Sequence, residues 1–180
     1  MISAALVFLY SLGIMTDMYS AFANTIRRPT QPDKTNVEGT GILYYMQDFN
    51  RTFTNISIVL ILVSLTLFIT CTHSRRKYYL GNFISTALCF ISNVAATVWL
   101  VPQIMDYRAQ YLKVDFAALK EHATSAGSYY TDSTFWFDVS YVVFGILMLV
   151  SVLLVVNLIL KITLMKAEKN LIGSRKDVRA

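Results

Sequence analysis

Residues Phe53 to Cys71 read FTNISIVLILVSLTLFITC, and this stretch decides the fold class. Its nineteen residues include no charge, no proline and no glycine. As a helix rising about 1.5 Å per residue it reaches roughly 28 Å, close to the ~30 Å hydrocarbon core of a bilayer. The segment His73 to Tyr79 (HSRRKYY) follows almost at once and brings Arg75, Arg76 and Lys77 with no acid. The apolar run assigns the class, and its basic flank assigns the orientation.

The composition agrees. Hydrophobic residues make up 55% of the 180-residue chain, charged residues 15%, and the mean hydropathy is +0.49. An ordinary soluble domain carries about 25% charged residues. Helices that are apolar all round lack the polar stripe a soluble bundle needs. The length suits one domain with few spans. The formal charge of +5 belongs at cytoplasmic helix ends in such a protein, which argues against a nucleic-acid partner.

Three more apolar runs are predicted to span. The first is Ile2 to Ala23, interrupted by Asp17. Ala21-Phe22-Ala23 resembles a signal-peptide cleavage site, but no Lys or Arg precedes the run, so a retained helix is expected. The third runs from Tyr79 to Val101 and is expected to stop at Pro102; the fourth runs from Phe135 to Leu160. The aromatic segment Ile42 to Phe49 is read as interfacial, and Tyr107 to His122 as a short surface helix. The long connections 24–51 and 102–134 have nearly balanced charge. The turn at Arg75, Arg76 and Lys77 and the tail with Lys161, Lys166 and Lys169 are strongly basic. The positive-inside rule therefore puts the short basic segments in the cytoplasm and the long loops outside. The expected fold is an all-α integral membrane protein: a four-transmembrane-helix bundle over 1–165, a basic cytoplasmic tail over 166–180, and both termini cytoplasmic. The basic residues are expected to fix topology and contact anionic lipid.

Little in the chain points to catalysis. There is no phosphate-binding glycine loop, no zincin helix and no nucleophile elbow. His73 and His122 fall on opposite sides of the membrane in this topology, so they share no metal or haem. Cys71 and Cys89 lie in or beside apolar spans and are read as small hydrophobes. No metal and no cofactor is expected. The sequons at Asn50 and Asn55 lie too close to the membrane to make easy glycosylation sites.

Polar residues at membrane depth are costly and need a role. Asp17, Asn50, Arg51, Asn55, Asn93 and Asp138 all fall toward the outer ends of their spans. They form the candidate polar pocket, set against a bland alternative of interfacial anchoring and inter-helix hydrogen bonds. If Asp17 met Asp138, the two carboxylates would make a proton or cation site. Asn157, deep in the last span, is expected to bond a neighbouring helix.

Met46-Gln47-Asp48-Phe49-Asn50-Arg51-Thr52-Phe53-Thr54-Asn55 is similar to the start of the second helix in the anthrone oxygenase-like family of small four-helix membrane proteins. That family often shows Met-Gln, then Asn-Arg, then an Asn before an apolar run. Gly13, Pro29 and Asn93-Val94 also resemble positions that recur there. The resemblance implies a four-helix membrane fold and cofactor-free oxidation of a lipophilic aromatic, with Gln47, Asn50, Arg51, Asn55 and Asn93 near the pocket. Two family prolines are replaced, by Ile56 and Ala95, and an asparagine by Val98.

The leading expectation is a non-enzymatic accessory or scaffolding subunit. It would bind lipid and other membrane subunits, or a copy of itself, through helix faces and the tyrosine-bearing loops (Tyr44, Tyr45, Tyr129, Tyr130). A binder or oxidase of a lipophilic small molecule is the alternative, and a channel or transporter component the third.

Overall fold

A computed structural model of the chain describes residues 1–15, 39, 41–73, 80–121 and 133–177. The described residues form five helices and no strand: α1 Ile2–Gly13, α2 Ile42–His73, α3 Leu80–Tyr111, α4 Phe116–Glu121 and α5 Phe135–Asp177. Three of them, α2, α3 and α5, are long and apolar enough to cross a membrane. Only 22%, 33% and 22% of their most apolar windows are buried, so most of the apolar surface faces outward. That is the arrangement expected of a protein whose solvent is lipid. The described part of the first run, α1, is twelve residues long.

The helices pack in sequence order around a ring. α1 lies against α2 and α5, and α3 against α2 and α5, while the diagonal pairs barely meet. Neighbours are antiparallel. Tyr45 and Tyr107 meet at one end of the α2–α3 pair, and Cys71 and Asn82 meet at the other.

Each helix buries one narrow stripe. In α2 it is Ile42, Met46, Phe49, Phe53, Ser57, Leu60 and Ser64; in α5 it is Phe137, Ser140, Phe144, Leu147 and Ser151. The alternating three- and four-residue spacing keeps one face turned inward. The stripe changes along the bundle. At the end shared by Gly13, Met46, Tyr107 and Trp136 it is aromatic: Phe53 lies 5.7 Å from Tyr10 and 6.1 Å from Phe144, and Phe49 lies 5.0 Å from Tyr107. Toward the other end it becomes small and hydroxylated, with Ser64, Ser85, Thr86, Cys89 and Ser151 buried. Small residues let helix backbones approach closely in lipid. Several buried hydroxyls donate back to their own helices: Ser57 to Thr54 O at 2.7 Å, Thr86 to Asn82 O at 2.7 Å and Ser151 to Leu147 O at 2.8 Å.

Four boundaries differ from the sequence reading. The second helix, expected from Phe53, begins at Ile42, so the segment Ile42 to Phe49 that leads into it is part of α2. Pro102 lies inside α3, which runs on to Tyr111. A proline leaves a helix short of one donor near its preceding turn. The carbonyl that loses its donor is that of Val98; one residue on, Gln103 Nε2 donates to Trp99 O at 3.0 Å. The surface helix expected over 107–122 is reduced to α4, whose first turn is capped by Asp115 Oδ1 accepting from Ala117 N and Ala118 N. The expected tail has no break from the last span: α5 is helical to Asp177. Residues 16–23 of the first run lie outside the described residues.

Phe53 is fully buried at the centre of the aromatic end. Phe53→Ala should lower the unfolding free energy in detergent by about 3–5 kcal/mol, whereas Val98→Ala, on an exposed site, should leave the thermal midpoint nearly unchanged.

Candidate functional site

The residues read as one pocket occupy different surroundings. Asp138 lies in the first turn of α5, where a negative charge complements the helix dipole. Its Oδ2 accepts from Thr134 Oγ1 at 2.7 Å, and its Oδ1 accepts from Arg108 Nε at 3.0 Å. Arg108 lies in the last turn of α3, the favourable end for a cation. Both side chains are partly exposed, 34% for Arg108 and 45% for Asp138. The bridge therefore ties the end of α3 to the start of α5 at the surface. The second carboxylate of the expected pair, Asp17, lies outside the described residues.

Other contacts gather around this bridge. Tyr10 of α1 donates its hydroxyl to Trp136 O at 2.8 Å, and Tyr141 of α5 donates to Met105 Sδ at 2.9 Å. Gly13 faces the Trp136 ring so closely that an added Cβ would come within 2.7 Å of it. These contacts join helix ends.

Asn93 is buried on the inner stripe of α3, and its carbonyl accepts from Thr97 Oγ1 at 2.8 Å. Asn50 lies one turn before Thr54, which contacts Ser11 of α1 at 3.4 Å. The Asn50 Oδ1 atom is buried with no hydrogen-bond partner among the described residues. Arg51 is exposed. Asn55 lines a groove of about 390 Å³ between α2 and α3. Thr52, Asn55 and Trp99 stand at one end of it, and Leu60, Ser92 and Ala96 lie along it. The partly exposed Val59 and Trp99 leave it open sideways. A smaller groove of about 250 Å³ lies between α3 and α5, at Thr86, Phe90, Leu154 and Leu158.

At the opposite end a second set of polar groups closes the bundle. Lys161 Nζ of α5 donates to Asn82 Oδ1 of α3, and Asn82 Nδ2 donates to Cys71 Sγ of α2 at 2.8 Å. This chain joins three helices at one level. Lys166 and Lys169 follow on exposed turns of α5, while Arg75, Arg76 and Lys77 lie outside the described residues. Among the described residues no group of three His, Cys, Asp or Glu is placed to hold a metal.

Two members of these sets are hard to read from the sequence. Pro102 reads as a helix stop, which leaves Arg108 in a loop; continued through the proline, the helix period puts Arg108 in a last turn, where a cation is favoured. Asn82 is a lone amide near a helix start, and nothing in the sequence reveals that it bridges Lys161 and Cys71.

The geometry yields two clasps and a lipid-facing groove, with no convergent acid–base or nucleophilic pair among the described residues. If the Arg108–Asp138 bridge holds α3 to α5, Arg108→Ala and Asp138→Ala should lower the thermal midpoint non-additively, with the double variant no worse than the weaker single. Additive losses in that double-mutant cycle would show that the charges act separately. No family model matches the chain, and no curated protein or solved structure shows significant similarity to it.

Proposed function

We propose that this protein is a four-span membrane protein with both termini cytoplasmic, and that it serves as a non-enzymatic accessory or scaffolding subunit. The observation that carries this reading is α5. It is 43 residues long and is helical for sixteen residues beyond Lys161, roughly 24 Å of helix. Leu164 and Leu171 on that extension are 60% and 69% exposed. Apolar side chains held out on a helix past the basic boundary suit a contact with another protein. The four-span reading is supported by α1, which fills the place between α2 and α5. The orientation rests on Lys161, Lys166 and Lys169 at one end, and on the aromatic residues and the Arg108–Asp138 bridge at the other.

The polar residues support a structural role as well. Asp138 and Asn82 are engaged in clasps between helices, and the buried hydroxyls bond their own backbones. Native purification in a mild detergent, with mass spectrometry of what stays bound, tests the reading. A stoichiometric polypeptide, either a second copy or another subunit, is expected. A lone monomer in every mild detergent would overturn it.

The α2–α3 groove favours a second reading, binding of a lipophilic molecule. From Thr52 to Leu60 it runs roughly 12 Å along the helix. Its lining is apolar along Val59, Leu60 and Ala96, which suits an extended hydrocarbon chain, with Thr52, Asn55 and Trp99 at the polar end. A photoactivatable long-chain fatty acid should label the groove, and Asn55→Leu should reduce that labelling severalfold. Equal labelling of wild type and variant removes this reading.

A further inference from the structure

We infer that two copies of this chain pair in parallel through the exposed side of α5, along Leu153, Asn157, Leu160, Leu164, Ala167 and Leu171. The inference deepens the scaffolding reading above by naming the partner.

The six residues alternate at spacings of four and three, the heptad repeat of a two-stranded coiled coil. All six are exposed, and the four leucines are each more than half exposed. The described chain leaves this side of α5 uncovered: α1 and α3 pack on α5, while α2 lies across the ring. Apolar residues at any register are unremarkable in the spanning part of α5. Two features make this register specific.

The first is continuity through the boundary. Lys161 marks the basic end of the span, yet Leu164, Ala167 and Leu171 continue the same seam beyond it. Lipid can cover Leu153 and Leu160, but not Leu171, roughly 15 Å of helix past Lys161. A single occupant of the whole seam must run beside α5 in both phases. It is therefore a membrane helix with a helical extension of its own, which α5 of a second copy is.

The second is Asn157. It is exposed, lies one turn inside Lys161 and occupies an a position of the repeat. An amide there needs a polar mate at the same level. In a parallel pair in register, that mate is Asn157 of the other copy. A slip by one heptad would set Asn157 against Val150 or Leu164 and leave both amides unmatched. A single polar a residue selects register in this way.

Parallel orientation follows from membrane insertion, because two copies inserted alike run the same way. The flanks permit it. By register, Thr163 of one copy faces Glu168 of the other, so no like charges oppose there. Toward the aromatic end the same register runs into the buried Val143. The two copies therefore meet along the second half of α5 and diverge above it.

The test is disulfide cross-linking of the full-length chain in native membranes, in a Cys71→Ser, Cys89→Ala background. Leu153→Cys, Leu160→Cys, Leu164→Cys and Leu171→Cys probe the seam. Val152→Cys and Ile159→Cys are equally exposed controls on another side of α5. If the background fails to accumulate, photo-crosslinking residues at 160 and 159 in the otherwise native chain make the same comparison. Dimer yields about tenfold higher at the seam than at the controls are expected for a heptad interface. Asn157→Leu should lower the Leu160→Cys yield severalfold, because other registers then compete; an unchanged yield overturns the register assignment. Equal yields on both sides, or no dimer at the seam, overturn the pairing. Cross-links from the seam to a different protein also overturn it, while leaving the scaffolding reading in place. Absence of both dimer and any copurifying subunit removes the two together.

Discussion

A peptide group in hydrocarbon has no water to bond to, and the rest of this structure follows from that constraint. All five described helices keep their backbone bonds internal. Buried Ser11, Ser57, Thr86, Ser140 and Ser151 bond the preceding turn, so they enter the helix contacts as compact, saturated groups. Pro102 interrupts the ladder of α3 at a single position, the donor that would reach Val98 O. Ionic and amide side chains collect at the two ends, in the Arg108–Asp138 bridge and the Lys161–Asn82–Cys71 chain. The interior between them is held by packing.

That packing is graded. Rings fill the end where Tyr10, Phe49, Phe53 and Phe144 converge, and they set the spacing of the helices there. At the other end Ser64, Ser85, Thr86 and Ser151 allow closer approach. Helix association in lipid gains little from excluding water, so shape fit and inter-helix polar contacts must supply it. The grooves beside Ser92 and Ala96, and beside Thr86 and Ala87, lie where small residues of α3 leave room next to larger neighbours on α2 and α5.

The all-helical architecture and the three long spans were legible in the sequence. An uncharged run such as Phe53 to Cys71 has few alternatives at its length. Helix ends were less legible, because proline and charge were read as stops. Pro102 stops no helix here, and the basic residues from Lys161 onward continue α5 instead of starting a loose tail. The depth of each polar residue could be estimated by counting along a span, so Asn55, Asn93 and Asp138 were found. Their azimuths could not. Helices apolar on every side give no moment to show which face turns inward. Asn93 thus lies inside the bundle, Asn55 on the α2–α3 groove, and Asp138 on Arg108. Asn157, expected to bond a neighbouring helix, lies exposed on α5.

One feature of α5 has a mechanical meaning. Between Gly145 and Gly173 it contains neither glycine nor proline. A helix without such a joint bends only gently. The extension past Lys161 is therefore a lever continuous with the membrane span, and the chain through Asn82 and Cys71 is its fulcrum. A lateral force on the extension therefore tilts the rod as one piece as far as Gly145, the first position on the way to Trp136 and Asp138 where the helix has a joint.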